Sequence, residues 1–202
     1  LVKTWVDATV GESVDINATG SATSPIALNS VANIASESDN SSQFAIYSGE
    51  TISFSETFGV AANAANYNSV LQCSGTSGLV GNTLTVGAAD TAITCTYTNT
   101  RKKARIRIAK VWGANSNTGD TASIGATTGL VNNTAAINPV APTDLDTPYV
   151  TVFAGEVATL PAEAMAGGAL ANYEVVLACD AGSLSGTDGK ASNTLTINPA
   201  DE

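Results

Sequence analysis

Three polar residues stand where strand alternation directs side chains into a protein core: Lys3, Glu56 and Asn99. In a β-strand every second side chain lies on the same face, and each of the three shares its face with apolar residues. These neighbours are Leu1 and Trp5 for Lys3, Ile52, Phe54 and Phe58 for Glu56, and Ile93, Cys95 and Tyr97 for Asn99. The pattern therefore predicts an amine, a carboxyl group and a carboxamide inside an apolar core.

Those three groups have the chemistry of a covalent crosslink. Burial disfavours a charged lysine, and an uncharged Lys3 amine can attack the amide carbon of Asn99. A protonated Glu56 would polarise the carbonyl group and carry the proton as ammonia leaves. The predicted product is an isopeptide bond between the first and last strands of a domain. In the alternative interpretation, Lys3 extends its amine to solvent and Asn99 caps the end of its strand.

The sequence contains two copies of one pattern. Several short segments of the first half recur in the same order in the second half. They are Leu1–Trp5 with Ile108–Trp112, Ser48–Thr51 with Ala154–Val157, Asn66–Cys73 with Asn172–Cys179, and Asn82–Val86 with Asn193–Ile197, followed by Asp90 and Asp201. We therefore predict two tandem domains, over residues 1–103 and 104–202.

The second copy departs from the first at two points. Lys110 matches Lys3, but the position that matches Glu56 is Ala162, and Glu163 stands one residue away with the opposite parity. The strand that carries Asn99 has no counterpart after Asp201, so the second domain is expected to lack its last strand. Two explanations stay open: the sequence is cut from a longer array, or a neighbouring chain supplies the strand.

The cysteine count follows from the same repeat. Cys73 has Cys95 as a candidate disulfide partner, whereas the partner of Cys179 would lie on the missing strand. We predict a Cys73–Cys95 disulfide and an unpaired Cys179, and a disulfide implies an oxidising compartment. The alternative is a pair of reduced cysteines in the core.

Strand alternation and turn residues predict an all-β fold. The expected strands of the first copy are Leu1–Val6, Ser13–Thr19, Gln43–Tyr47, Thr51–Phe58, Tyr67–Cys73, Asn82–Val86 and Ile93–Asn99. The stretch from Thr94 to Trp112 contains neither glycine nor proline. We therefore expect the last strand of the first domain to continue into the first strand of the second as a stiff connection.

Composition excludes several classes of function. The chain has no histidine, which removes the Ser/His and Cys/His catalytic arrangements. Its net charge is -10, and six of its 8 basic residues lie between Arg101 and Lys110, so a broad basic face for nucleic acid is not expected. No apolar run is long enough to insert into a membrane, and the cysteines lack zinc-site spacing. We expect no enzyme activity, no cofactor and no metal. The segment Asn115–Asp120 could be considered as a calcium-binding loop, but its spacing does not fit one and its composition predicts a turn.

The chain resembles the prealbumin-like repeats of bacterial surface proteins, which are related to the CnaB/SpaA-type domains of Gram-positive pilins and adhesins. The segments that carry the resemblance are Leu1–Thr4, Ser48–Thr57, Leu71–Cys73 and Cys95–Thr100. The resemblance implies tandem immunoglobulin-like β-sandwich domains. It also implies that Lys3 and Asn99 become linked with the assistance of Glu56, although family members with a cysteine pair can rely on the disulfide instead.

These observations lead to a structural role as the first expectation. The chain would be a repeat segment of an extracellular bacterial filament, stalk or adhesin at the cell surface, and its partners would be neighbouring repeats or subunits, including those of a homopolymer. One alternative is a binding module for a glycan, ice or a cell-surface ligand. Another is a pilus subunit completed by a donated strand.

Overall fold

The computed structural model of the chain describes residues 1–20, 25–76, 78–128, 134–137 and 139–201. The structure is all-β: the described residues form nineteen strands, β1 to β19, and two short 3₁₀ helices. The chain divides into two compact units, unit 1 over Leu1–Arg101 and unit 2 over Lys102–Glu202. Within these described residues, no helix has the length and apolar character needed to cross a membrane.

The described residues of unit 1 form nine strands and the 3₁₀ helix Ala61–Asn66. The strands are β1 (Val2–Val6), β2 (Ser13–Gly20), β3 (Ile26–Val31), β4 (Glu37–Asn40), β5 (Thr51–Phe58), β6 (Tyr67–Ser74), β7 (Leu79–Val80), β8 (Thr83–Thr85) and β9 (Thr94–Arg101). They form one sheet with the order β4-β1-β9-β6 and a second with the order β3-β2-β5-β8-β7.

The two sheets of unit 1 share a single core, as expected for a β-sandwich. Trp5 and Tyr97 come from the first sheet, and Ile16, Phe54 and Leu84 come from the second. The first and last strands, β1 and β9, are parallel neighbours, and β9 pairs on its other side with β6 in antiparallel orientation. The closing strand is therefore central in its sheet.

In unit 2, the part of the chain that the structure describes forms ten strands and the 3₁₀ helix Leu170–Asn172. The strands are β10 (Lys103–Ile106), β11 (Ala109–Lys110), β12 (Ala122–Thr128), β13 (Thr134–Ile137), β14 (Leu145–Asp146), β15 (Val150–Phe153), β16 (Val157–Leu160), β17 (Ala164–Met165), β18 (Ser183–Leu184) and β19 (Asn193–Thr196). One sheet runs β13-β12-β16-β19-β18, with β17 paired to β12. Two further ladders are β10-β15 and β11-β14.

The core of unit 2 is divided where that of unit 1 is continuous. One buried cluster includes Val152, Leu160 and Leu195, and a separate cluster contains Trp112 and Ala122. The last strand of this unit in the described residues is β19.

Most of the expected strands are present, with two differences. The predicted strand Gln43–Tyr47 is wrong, because those residues form no strand. Its counterpart β15 is a strand because it pairs with β10, and the described part of unit 1 has no equivalent of β10. The connection after β9 is also not one strand: β10 and β11 are separated at Arg107 and Ile108, although side chains alternate between exposed and more buried from Arg105 to Trp112 as predicted.

Candidate functional site

The three predicted core residues of unit 1 meet around one carboxylate. Lys3 lies on β1, Asn99 on β9 and Glu56 on β5 of the opposite sheet. The Nζ atom of Lys3 is 2.9 Å from Oε1 of Glu56, and Nδ2 of Asn99 donates a 2.9 Å hydrogen bond to the same oxygen. Both nitrogen atoms therefore contact a single oxygen across the space between the two sheets.

Burial of this group is nearly complete. Lys3 and Asn99 have no exposed surface, and the side chain of Glu56 is 6% exposed. The lysine therefore does not extend to solvent, and Asn99 does not cap a strand end. Parallel pairing sets Lys3 beside Tyr97 and Trp5 beside Asn99, and the amine lies 4.2 Å from the centre of the Trp5 ring.

Burial makes the Lys3 amine easier to deprotonate than an ordinary lysine. Removal from water lowers the pKa of Lys3 to about 8, and the adjacent Glu56 opposes this shift without cancelling it. Burial, with a smaller contribution from Glu56, raises the pKa of Tyr97 to about 12. The phenol next to the lysine therefore stays protonated and neutral where the amine titrates.

Only one end of the Asn99 carboxamide, its nitrogen atom, makes a hydrogen bond. Its Nδ2 atom is bonded to Glu56, whereas its buried Oδ1 atom has no hydrogen-bond partner. An unpaired buried acceptor carries a desolvation cost of about 1–3 kcal/mol. The second carboxylate oxygen of Glu56 accepts a 2.7 Å hydrogen bond from Ser69 Oγ on β6. Residues on β1, β9 and β6 of the facing sheet therefore hold the carboxyl group, while the amide carbonyl oxygen of Asn99 has no partner.

The second covalent element is the disulfide Cys73–Cys95, which the structure contains. The two residues face each other directly in the β6–β9 ladder, and their Cα atoms are 4.0 Å apart. Cys95, Tyr97 and Asn99 lie on the same buried face of β9. The last strand is therefore linked to β6 at one end and faces the lysine of β1 near the other.

Unit 2 also contains a lysine–carboxylate pair, and its carboxylate belongs to Glu163, which strand parity placed on the opposite face. Lys110 Nζ donates to both oxygens of Glu163, at 2.9 Å and 2.8 Å. The Glu163 side chain is 5% exposed and that of Lys110 is 13% exposed. The expectation that Glu163 points away from Lys110 is therefore wrong, and Glu163 takes the place that Glu56 has in unit 1.

A β-bulge explains the change of parity. Thr159 pairs with Thr127, and Ala164 pairs with Ser123, so the four residues 160–163 stand opposite the three residues 124–126. One extra residue on one strand reverses the direction of the side chains that follow. The equivalent pairing of β2 with β5 keeps one register throughout. Pro161, which lacks a ladder donor, was the available sequence signal, because proline within a strand pattern marks an edge or a bulge.

Hydrogen bonds around two turns support the repeat that the sequence indicates. Glu50 and Glu156 are buried, and each accepts a bond from the backbone N–H three residues earlier, at Tyr47 and Phe153. Sequence reasoning noted these glutamates as repeat markers and missed this role. The hydroxyl groups of Tyr67 and Tyr173 likewise donate to carboxylates of the loops after β1 and β11. The two units thus share local structure beyond their sequence pattern.

Cys179, the counterpart of Cys73, is a free and exposed cysteine. It follows residues 173–178, which correspond to β6 but form only one isolated bridge, between Val176 and Asp188. In the described chain, no strand pairs with this segment as β9 pairs with β6.

Other candidate sites are weaker. The threonines of β9 form a row one strand wide, and across the β1–β9 ladder this row has Val2, Thr4 and Val6 as neighbours, so they do not build a regular threonine lattice. Among the residues that the structure describes, no group of three or more acidic or cysteine side chains is placed to hold a metal ion. The Asn115–Asp120 segment lies in a turn region.

Comparison with known proteins returns no similarity: no protein-family model, no curated protein and no solved structure matches this chain.

Proposed function

We propose that the chain is a structural repeat segment of an extracellular bacterial filament, stalk or adhesin, and that it bears load rather than catalysing a reaction. The observation that carries this proposal is the meeting of Lys3 and Asn99 on one oxygen of Glu56. These residues belong to the first and last strands of unit 1, so a bond between them would join the two ends of the domain.

The reaction follows from the geometry. Transfer of one proton from Lys3 Nζ to Glu56 across their 2.9 Å contact gives a neutral amine and a neutral carboxylic acid. The amine attacks the amide carbon of Asn99 while the acid, which contacts Nδ2, protonates this nitrogen as the leaving group. The new C–N bond forms as the bond to Nδ2 breaks, and Nδ2 leaves as ammonia with the proton returned through Glu56. Each domain reacts once, so this step is maturation and not turnover.

The pairing of β1 with β9 determines how such a bond would act under tension. β1 and β9 are parallel and adjacent, so tension between the start of β1 and the end of β9 loads their shared hydrogen bonds in shear. A Lys3–Asn99 amide would carry that load through a covalent path. The Cys73–Cys95 disulfide ties β9 to β6 in addition, which leaves the central strand of the sheet with covalent anchors on both neighbours.

The finer assignments belong to the same proposal. Both units are taken as immunoglobulin-like sandwiches of the prealbumin/CnaB type in tandem, with neighbouring repeats or subunits as partners. The all-β architecture, the repeated turns and the disulfide support it, as does a connecting segment from Cys95 to Trp112 without glycine or proline. The disulfide favours a location outside the cytosol.

The intact mass of the denatured chain tests the proposal. We expect a mass that is short by one ammonia after full reduction, with peptide mapping that places the link between Lys3 and Asn99. The variant Asn99→Ala is the matched control and should show no such loss. A wild-type mass equal to that of the sequence would contradict the crosslink and leave Lys3–Glu56 as a buried ion pair.

A further inference from the structure

One face of unit 2 carries a row of exposed basic side chains on an acidic chain. Lys103 and Arg105 lie on β10, and Arg107 directly follows it. All three are exposed, whereas Ala104 and Ile106 between them are more buried, so the three basic groups share the outward face. Neighbours in this basic row are about 6.8 Å apart, because a strand rises about 3.4 Å per residue. The chain as a whole has 18 acidic and 8 basic residues, so the basic row is opposite in sign to the net charge.

Aromatic rings of the paired segment hold the basic row in place. Phe153 pairs with Lys103, and the Lys103 amine lies 5.6 Å from the centre of the Phe153 ring. The guanidinium groups of Arg105 and Arg107 lie 5.2 Å and 5.1 Å from the centre of the Tyr149 ring. Tyr149 is 53% exposed, so these contacts are at the surface. Guanidinium groups placed over a ring are pre-organised, and less entropy is lost when they bind an anion.

The two arginines differ in the carboxylates that they contact. Nη1 of Arg107 donates a 2.5 Å hydrogen bond to Oδ2 of Asp146, and the two side chains are 46% and 50% exposed. Among the described residues, Arg105 forms no ion pair with a carboxylate. An exposed ion pair contributes little net free energy, so another anion can replace Asp146. One guanidinium group is therefore available to an anion, and the second already shows that a carboxylate fits beside it.

The form of this face favours a narrow polymer with repeated anionic groups. The basic row is one strand wide, whereas double-stranded nucleic acid requires a broad basic face. Single-stranded nucleic acid stacks its bases on aromatic rings, but two guanidinium groups already lie over the Tyr149 ring. A protein partner would need an apolar anchor in a pocket, whereas here Arg105 stands opposite the exposed Thr151 on an open sheet face. Guanidinium groups bind carboxylates through paired hydrogen bonds, and the hydroxyl groups of sugars suit a polar face.

We propose that the face of unit 2 formed by the basic row and Tyr149 binds a linear acidic polysaccharide through its carboxylate groups. Arg105 binds one carboxylate with paired hydrogen bonds, and Arg107 binds a second one in place of Asp146. The Lys103 amine adds positive charge at the start of the row. Binding is electrostatic and reversible. It gives the segment an attachment to an acidic glycan, which goes beyond the proposed load-bearing role and does not depend on the unit 1 crosslink.

Fluorescence anisotropy with the full chain and a labelled octamer of galacturonic acid tests the proposal. We expect saturable binding of this octamer and none of a neutral galactose octamer. Because salt screens exposed charges, the affinity should fall about fivefold between about 50 mM and about 200 mM NaCl. These ligand controls use the unchanged protein, so their result does not depend on whether a variant folds. Absence of saturable binding, or equal binding of the neutral octamer, would overturn the proposal.

Substitutions of single exposed residues locate the site. Arg105→Gln should weaken binding about tenfold, since it removes a charge-assisted pair of hydrogen bonds. Lys190→Gln is the matched control, because it removes an exposed basic residue elsewhere in unit 2, and it should leave the affinity unchanged. An equal loss in both variants would show attraction by net charge alone and would overturn the assigned face.

The ion pair within the basic row provides a test in the opposite direction. Asp146→Asn frees Arg107 and should strengthen binding about threefold. Asp180→Asn changes the net charge equally at another exposed position and should not strengthen it. An equal gain in both variants would contradict the role of Arg107. Tighter binding of a single-stranded oligonucleotide of the same charge would overturn the polysaccharide and assign the face to nucleic acid.

Discussion

In unit 1 the carboxylate of Glu56 is shared by Lys3, Asn99 and Ser69, whereas in unit 2 both oxygens of Glu163 contact Lys110 alone among their side-chain partners. The lysine–carboxylate pair is therefore present in both units, in unit 2 in spite of a bulge. The neighbouring ladder differs, because the counterpart of β6 has only an isolated bridge in the described residues of unit 2.

The largest effect should come from removing the carboxylate in each unit. In unit 1, Glu56→Ala prevents the crosslink and leaves a fully buried amine without its partner, which should lower the free energy of unfolding by about 3–5 kcal/mol. In unit 2, Glu163→Ala should cost on the order of 1 kcal/mol, because Lys110 retains access to solvent. Hydrogen exchange followed by mass spectrometry resolves the two units in one chain. Equal losses of protection in both units would show that the greater burial of Lys3 does not make its ion pair more important for stability than that of Lys110.

The next effect concerns the cysteines. Cys73→Ala opens a disulfide between residues 22 apart, and loop-closure entropy predicts a loss of about 3 kcal/mol in the stability of unit 1. Cys179→Ala, the matched change in unit 2, removes an exposed thiol and should change stability by less than about 0.5 kcal/mol. Denaturant unfolding of each variant measures both. A large loss for Cys179→Ala would mean that this thiol already makes a stabilising contact in unit 2.

Much of unit 1 could be predicted from its sequence because alternation is regular there. The inward placement of Lys3, Glu56 and Asn99 and the partnership of Cys73 with Cys95 required only strand parity and the repeat. Gln43–Tyr47 failed for a different reason: its residues suit a strand, but strand formation needs a partner with free backbone groups, and the described part of unit 1 offers none there.

Unit 2 was harder to predict because one extra residue reverses parity. Alignment with unit 1 placed Ala162 at the carboxylate position, and only the pairing of β17 with β12 shows that Glu163 is there instead. Pro161 indicated an interruption but not its size or direction. A pattern of period two cannot reveal a one-residue insertion unless the partner strand is known.

The bulge itself provides a smaller test. Exchange of Ala162 and Glu163 should move the carboxyl group away from Lys110 and cost on the order of 1 kcal/mol in unit 2. Deletion of Pro161 removes one of the four residues opposite residues 124–126 and leaves Glu163 in register with Ile124, so Lys110 should keep its partner. Hydrogen exchange in β12 and β19 reports on both variants. Loss of protection in the deletion variant that exceeds the loss in the exchange variant would contradict the assignment of the bulge.

The last prediction concerns the pH dependence of the lysine that makes unit 1 distinct. In Asn99→Ala no crosslink forms, and Lys3 stays a titrating amine with a pKa of about 8 in the folded chain and an ordinary value of 10.5 when unfolded. Between these values the unfolded chain binds a proton at Lys3 that the folded chain does not, so the contribution of Lys3 to the free energy of unfolding should rise as pH increases above about 8 and be constant below it. Tyr97, whose pKa is raised to about 12, acts in the opposite direction only above its ordinary pKa of 10.0. The N-terminal amine of Leu1, whose pKa burial lowers from 8.0, and Cys179, whose pKa burial raises from 9.0, also titrate between about pH 7 and about pH 10. The contribution of Lys3 is therefore the difference in urea unfolding between Asn99→Ala and the double variant Asn99→Ala/Lys3→Met, which should lack the rise above about pH 8. A rise of the same size in both variants would assign the titration to another group and remove the evidence for a neutral nucleophile at Lys3.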